Sequence, residues 1–276
     1  MGSLDASFFH ILRHELPHID PQQRQLLEVT RECFESAGET SYSGRSIGVF
    51  VGSFGQDWHD MVTRDTQHRS IYKTIGCGDF ALSNRISYEF DLRGPSMTIR
   101  TGCSAALIAL HEACGAIARG DCDSAIVAGS SLVLGPGSLL AQSDQGVLSP
   151  HGSSKTFDAD ADGYARADAI NAVYLKSLKD ALRDGNPIRS VIRSTAINCD
   201  GHTSGIVLPS SESHEAMMRR AYEIAGIRDL GQTAFVECHG TGTAAGDPLE
   251  AVAVANVFGE KGIFIGSVKP NVRDSK

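Results

Sequence analysis

The chain has 276 residues, 41% of them hydrophobic and 21% charged, so it can bury a sizeable core and reads as a folded globular protein. Its 25 basic and 33 acidic residues give a formal net charge of −8 with no Lys- or Arg-rich block, which argues against a nucleic-acid or anionic-membrane partner. Seven scattered cysteines with no Cys-x-x-Cys pair argue against a disulfide framework or a thiolate metal site and point to a reducing cytoplasmic setting, and no apolar run approaches the ~20 residues that span a bilayer.

In chain order, Asp20-Pro21 ahead of Gln22-Gln-Arg-Gln-Leu-Leu-Glu-Val predicts a capped helix with Pro in its first turn, running to Gly38. Ile47-Gly-Val-Phe-Val51 predicts a strand ending in Gly52-Ser-Phe-Gly55. Residues 58–73 are polar and non-periodic, which predicts surface loop with a short helix. Helical spacing recurs over Phe80-Ala-Leu-Ser-Asn-Arg-Ile-Ser-Tyr88, and Asp91-Leu-Arg-Gly94-Pro95 turns the chain into a strand over 95–99. A helix follows over 104–119, then a strand over 123–129 whose continuous apolar run marks it as buried. Residues 135–163, rich in Gly, Ser, Pro and Asp, predict a long loop. Beyond it the pattern predicts strands over 169–175, 190–198, 234–238 and 262–268, with helices over 176–183, 213–225 and 247–258. Alternation of this kind specifies an α/β fold with substantial parallel sheet, which places active groups at strand C-termini.

Three side chains stand at such ends. Cys103, in Arg100-Thr-Gly-Cys-Ser-Ala-Ala, lies between a strand and a helix, where backbone N–H groups and the helix dipole favour a thiolate. The small residues around it permit a sharp nucleophile-elbow turn. His239 lies in His-Gly-Thr-Gly-Thr243 after a strand, and its imidazole can hydrogen-bond a carbonyl. Lys269 follows Gly266-Ser-Val at the end of another strand. Taken singly, the thiol reads as an inert buried cysteine, the imidazole as a satisfied core histidine and the ammonium as a solvated lysine; the combination suggests an active site. Asp158-Ala-Asp160-Ala-Asp162-Gly163 opens like a calcium loop and then fails, with Arg166 and Ala169 at positions nine and twelve. Cys238 reads as a core thiol, and Asn84, Arg85 and Arg166 as structural hydrogen-bonders.

These stretches together resemble a β-ketoacyl synthase domain, most similar to the ketosynthase of fungal highly reducing iterative polyketide synthases. The matching motifs are Asp20-Pro-Gln-Gln-Arg24 with Leu26-Leu-Glu28, Ala81-Leu-Ser-Asn-Arg-Ile-Ser-Tyr88, Gly94-Pro-Ser, Thr101-Gly-Cys-Ser and Lys155-Thr-Phe-Asp-Ala-Asp-Ala-Asp-Gly-Tyr164. Glu237-Cys-His-Gly-Thr-Gly-Thr243, Gly246-Asp-Pro-Leu-Glu250 and Gly266-Ser-Val-Lys269 complete the series. The resemblance implies a thiolase-like fold of two related α/β halves with helices packed between sheets. Residues of about 1–185 would form most of the first half and about 186–276 the start of the second.

It further implies decarboxylative Claisen condensation. Cys103 accepts an acyl chain from an acyl carrier protein, His239 stabilises charge on the malonyl thioester oxygen, and Lys269 adds positive charge and holds neighbouring groups. No metal or directly bound cofactor is implied; phosphopantetheine arrives with the carrier, and the partner chain is a second copy in a homodimer. The family pattern continues after the lysine to a Gly and a second catalytic His, where this chain has Arg273 and Asp274. With the family's N-terminal start and C-terminal part also missing, the expectation is a partial domain with weak or no condensing activity. The alternative is a non-catalytic remnant serving as a dimerisation or interaction module. A Cys/His hydrolase is disfavoured, because no hydrolase signature accompanies the thiol.

Overall fold

The computed structural model describes residues 4–64, 67 and 69–272. Ten α-helices and six strands follow one another among them: α1 Pro21–Ser36, β1 Ile47–Ser53, α2 Asp57–Arg64, α3 Lys73–Cys77, α4 Phe80–Glu89, β2 Ser96–Ile99, α5 Ala105–Arg119, β3 Ser124–Ser131, α6 Pro136–Asp144, β4 Ala169–Lys176, α7 Leu178–Asp184, α8 Ser211–Ile224, β5 Phe235–Glu237, α9 Gly246–Phe258, β6 Phe264–Gly266 and α10 Lys269–Val272. The α/β class expected from the sequence is the class observed. No described helix is long and apolar enough to cross a membrane.

The chain divides into two compact units, one of residues 1–136 with 168–191, the other of 137–167 with 192–275. The first is built on a four-stranded sheet of order β2-β1-β3-β4. β1 pairs in parallel with β2 and β3, whereas β4 runs antiparallel along the whole of β3, from Ser124 opposite Lys176 to Ser131 opposite Ala169. The sheet is therefore mixed rather than wholly parallel, since the residues that make a strand do not encode the direction in which it pairs.

β1 is buried along its entire length, as its unbroken apolar run requires. Alternate residues face two cores. Val49, Val51, Ile126 and Ala128 meet Leu26, Leu27 and Phe34 of α1 and Leu82 and Ile86 of α4, while Phe50, Ala125 and Val127 meet Ala109, Ala113 and Ala116 of α5. The alanine stripe lets α5 lie close to the sheet. Asp20 caps α1 by accepting the Gln22 N–H at 2.8 Å, with Pro21 in the first turn, as the sequence predicts.

In the second unit β5 and β6 form a two-stranded parallel sheet, Phe235 opposite Phe264, and α8 packs beside α9. Two predictions fail here. Residues 135–163 contain a helix, α6, begun by Pro136, so that stretch is not loop throughout. Residues 190–198 form no strand; they are tied to α8 by side chains that bond main-chain carbonyls, Ser194 Oγ to Ala221 O at 2.7 Å and Asn198 Nδ2 to Ser213 O at 2.8 Å. Strand propensity forms a strand only where a neighbour supplies the ladder.

Candidate active site

In the first unit, β2 leads into a turn at Gly102, whose φ of +69° is a conformation that side chains resist, and the chain enters α5 two residues after Cys103. Thr101 and Cys103 form a one-residue parallel bridge, and the Ser104 hydroxyl donates to the Thr101 carbonyl at 2.9 Å, so the turn is closed on itself. The head of α5 rests on β1 at Gly52, where a Cβ would lie 2.3 Å from the Ala106 nitrogen; only glycine lets helix and strand approach this closely. Arg100 braces the strand end through Asp79 Oδ2 at 3.2 Å and Gln56 Oε1 at 2.8 Å. Cys103 is exposed, with the N-terminal amides of α5 following directly behind it. None of the seven cysteines is disulfide-bonded.

In the second unit, the His239 loop leaves the end of β5 and is held by carboxylates of α9. The N–H groups of His239 and Gly240 donate to the two oxygens of Glu250 at 2.6 and 2.9 Å. Those of Gly242 and Phe157 donate to the two oxygens of Asp247 at 3.1 and 2.8 Å. Asp247 and Glu250 are three residues apart and so share one face of the first turns of α9, where the helix dipole favours negative charge. Lys269, at the start of α10, sends Nζ to the His239 carbonyl at 2.7 Å. The main chain of His239 is thus fixed at both its N–H and its C=O, while the residue itself is exposed. Beside it Cys238 is buried, and burial pushes its thiol up to about 11, with Glu250 adding to the effect.

The structure therefore brings His239 and Lys269 together in one unit and sets Cys103 at a helix head in the other. Asp247 and Glu250 are residues to which the sequence reading gave no role, although they stand in a quoted motif; the signal is their i, i+3 spacing directly after a glycine-rich turn. The acidic 158–162 stretch is closed by Lys155, whose Nζ donates to Asp162 Oδ2 at 2.7 Å and to the Asp160 carbonyl at 3.1 Å. Among the described residues no cluster of His, Cys, Asp and Glu is arranged to hold a metal. Arg85 is a structural hydrogen-bonder, bonding Gln23 Oε1 at 2.6 Å and Glu15 Oε1 at 2.7 Å, and Asn84 accepts from Ser96 Oγ at 2.9 Å. Arg273 and Asp274 lie outside the described residues.

Two family models match the chain: "Beta-ketoacyl synthase, N-terminal domain" over residues 1–181 and "Beta-ketoacyl synthase, C-terminal domain" over residues 189–273. A highly reducing polyketide synthase of Fusarium sp is 61% identical over 276 residues, covering 100% of this chain and 11% of the relative. One from Aspergillus fumigatus is 59% identical over 272 residues, covering 99% and 11%. Among solved structures, the ketosynthase from module 6 of the bacillaene synthase of Bacillus subtilis 168 superposes with a TM-score of 0.89 at 36% identity, over 99% of this chain and 48% of that one. The oxazolomycin ketosynthase domain from Streptomyces albus gives 0.90 at 33%, over 99% and 49%. The chain thus spans about a tenth of the length of the curated relatives it matches and about half that of the solved ketosynthases.

Proposed function

The chain belongs to the β-ketoacyl synthase family, its fold the thiolase-like one of the solved ketosynthases, and on that premise we propose that it acts in decarboxylative Claisen condensation of polyketide-type acyl thioesters. Cys103 Sγ attacks the carbonyl of an acyl thioester; the thioester bond to the donor breaks, and the departing thiol takes the proton. The malonyl group on a second thioester then loses CO2, and its electron pair becomes the carbanion. That carbanion attacks the acyl-Cys103 carbonyl, forming the carbon–carbon bond and releasing the Cys103 thiolate. His239 hydrogen-bonds the malonyl thioester oxygen while negative charge builds there. Lys269, through the His239 carbonyl, and Glu250, through the His239 N–H, keep that residue in place.

The observation that carries the reading is the exposed Cys103 on a glycine turn at the head of α5. In this reading the donor is an acyl carrier protein, phosphopantetheine belongs to that carrier and enters as part of the substrate, the chain pairs with a second copy, and it works in the cytoplasm. We also read residues up to about 185 as belonging to the first thiolase-like half and those from about 186 to the second; the boundary between the two family matches, which end at 181 and begin at 189, supports this.

The test is product formation from acyl-charged and malonyl-charged carriers, followed by mass spectrometry. We expect acyl-enzyme from the native chain with at most a weak yield of β-ketoacyl carrier, neither from Cys103→Ala, and acylated but non-condensing protein from His239→Ala. Condensation by His239→Ala at the native rate would remove that residue from the mechanism, and native protein yielding neither acyl-enzyme nor product would overturn the whole reading.

A further inference from the structure

Three oxygens buried on one face of the four-stranded sheet have no hydrogen-bond partner among the described residues: Gln22 Oε1, Ser53 Oγ and Ser130 Oγ. Their residues are 1%, 2% and 3% exposed. Ser53 and Ser130 stand directly opposite each other at the C-terminal end of the β1–β3 ladder. Both lie on the α1 side of the sheet, two residues beyond Val51 and Ala128, which pack against α1. Neighbouring strands run about 4.8 Å apart, so the two hydroxyls face one shared space.

Gln22 reaches the same end from the first turn of α1. Its Nε2 donates to Asp20 Oδ2 at 3.1 Å and to the Gly55 carbonyl at 3.4 Å, which leaves Oε1 buried without a donor. Gly55 carries no side chain, and a Cβ there would lie 3.3 Å from Gln22 Oε1 and 3.3 Å from the Leu132 nitrogen. The amide oxygen therefore stands over the strand ends just past Ser53 and Ser130.

Buried polar groups in native proteins are paired with protein or with ordered water, and a buried water characteristically makes about three hydrogen bonds. We propose that a single buried water molecule occupies this site, accepting from the Ser53 and Ser130 hydroxyls and donating to Gln22 Oε1. Two O–H donors and one C=O acceptor match the hydrogen-bonding capacity of water, and none of the three groups carries charge to attract an ion. The water ties the ends of β1 and β3 to the start of α1. It does so one residue from Gly52, on which the helix bearing Cys103 at its head rests, and it does not depend on the proposed activity.

A high-resolution crystal structure of the native chain tests this directly. The expected result is density within about 2.7–3.0 Å of all three oxygens. Metal-like contacts near about 2.4 Å would overturn the water in favour of a cation. Direct bonding of the three side chains to one another or to backbone would overturn the site altogether. In solution, oxygen-17 relaxation dispersion should count one fewer long-lived water in the Ser53→Ala/Ser130→Ala double variant than in the native chain, and an unchanged count contradicts the proposal. If that variant fails to fold, the native crystal structure decides alone.

Discussion

Glu250 illustrates how a single side chain can hold a candidate catalytic residue without touching its reactive atoms. Truncation to Ala leaves the N–H groups of His239 and Gly240 without their acceptor, which costs about 1–3 kcal/mol, toward the lower end because His239 is exposed. Glu250→Gln, which keeps one oxygen, should lose less; urea unfolding of the two variants measures the order. At Gly52 the expected defect is steric. Gly52→Ala forces a Cβ against the Ala106 nitrogen, costs about 1–3 kcal/mol or more, and lowers the thermal midpoint while shifting the helix behind Cys103. The thiols should also divide by burial. Cys33 and Cys238, whose pKa burial pushes up to about 11, should resist alkylation near neutral pH, while the exposed Cys103 and Cys199 react, as peptide mapping after brief labelling would show. Cys103, His239 and Lys269 were legible as candidates because each stands in a short motif after a strand. Asp247 and Glu250 were not, because bonding to main-chain N–H groups leaves almost no compositional mark.

Among the elements, β1, β3, α1 and α5 were readable because continuous burial and helical periodicity are local properties of their residues. The pairing direction of β4 and the fate of residues 190–198 were not, since both depend on which neighbour is available, and α6 was hidden by its Gly, Ser and Pro content. The junction of β4 and α7 carries an electrostatic prediction. Lys176, almost fully buried, bonds Asp184 Oδ2 at 2.6 Å and lies 3.3 Å from Glu39 Oε2. Hydrogen bonds from Arg183 and then Lys176 hold the Asp184 carboxyl well below its ordinary value of 3.8. A depressed carboxylate contributes stability that is present above its unfolded value and lost as pH falls through the folded one. Native chain and Asp184→Asn should therefore differ most in urea midpoint above the ordinary carboxylate range and converge as the pH drops below 3.8. A difference that grows on acidification would contradict the pairing.

For the molecule as a whole, the two units should differ in protection. The first holds a continuous core around Leu26, Phe34, Val49 and Ile126. The second rests on three-residue strands that leave Phe235 and Phe264 61% and 81% exposed, beside an α8 with no buried residue. Short paired strands with exposed faces open at low free energy. Hydrogen exchange should accordingly be slowest in β1 and β3 and fast in β5, β6 and α8. The central claim concerns Cys103, and intact-protein mass spectrometry after exposure to an acyl-thioester donor tests it most directly. The account predicts one acyl adduct, mapped to the peptide containing Cys103 and absent from Cys103→Ala; an adduct that persists in the variant, spreads over the other thiols or never forms would contradict it.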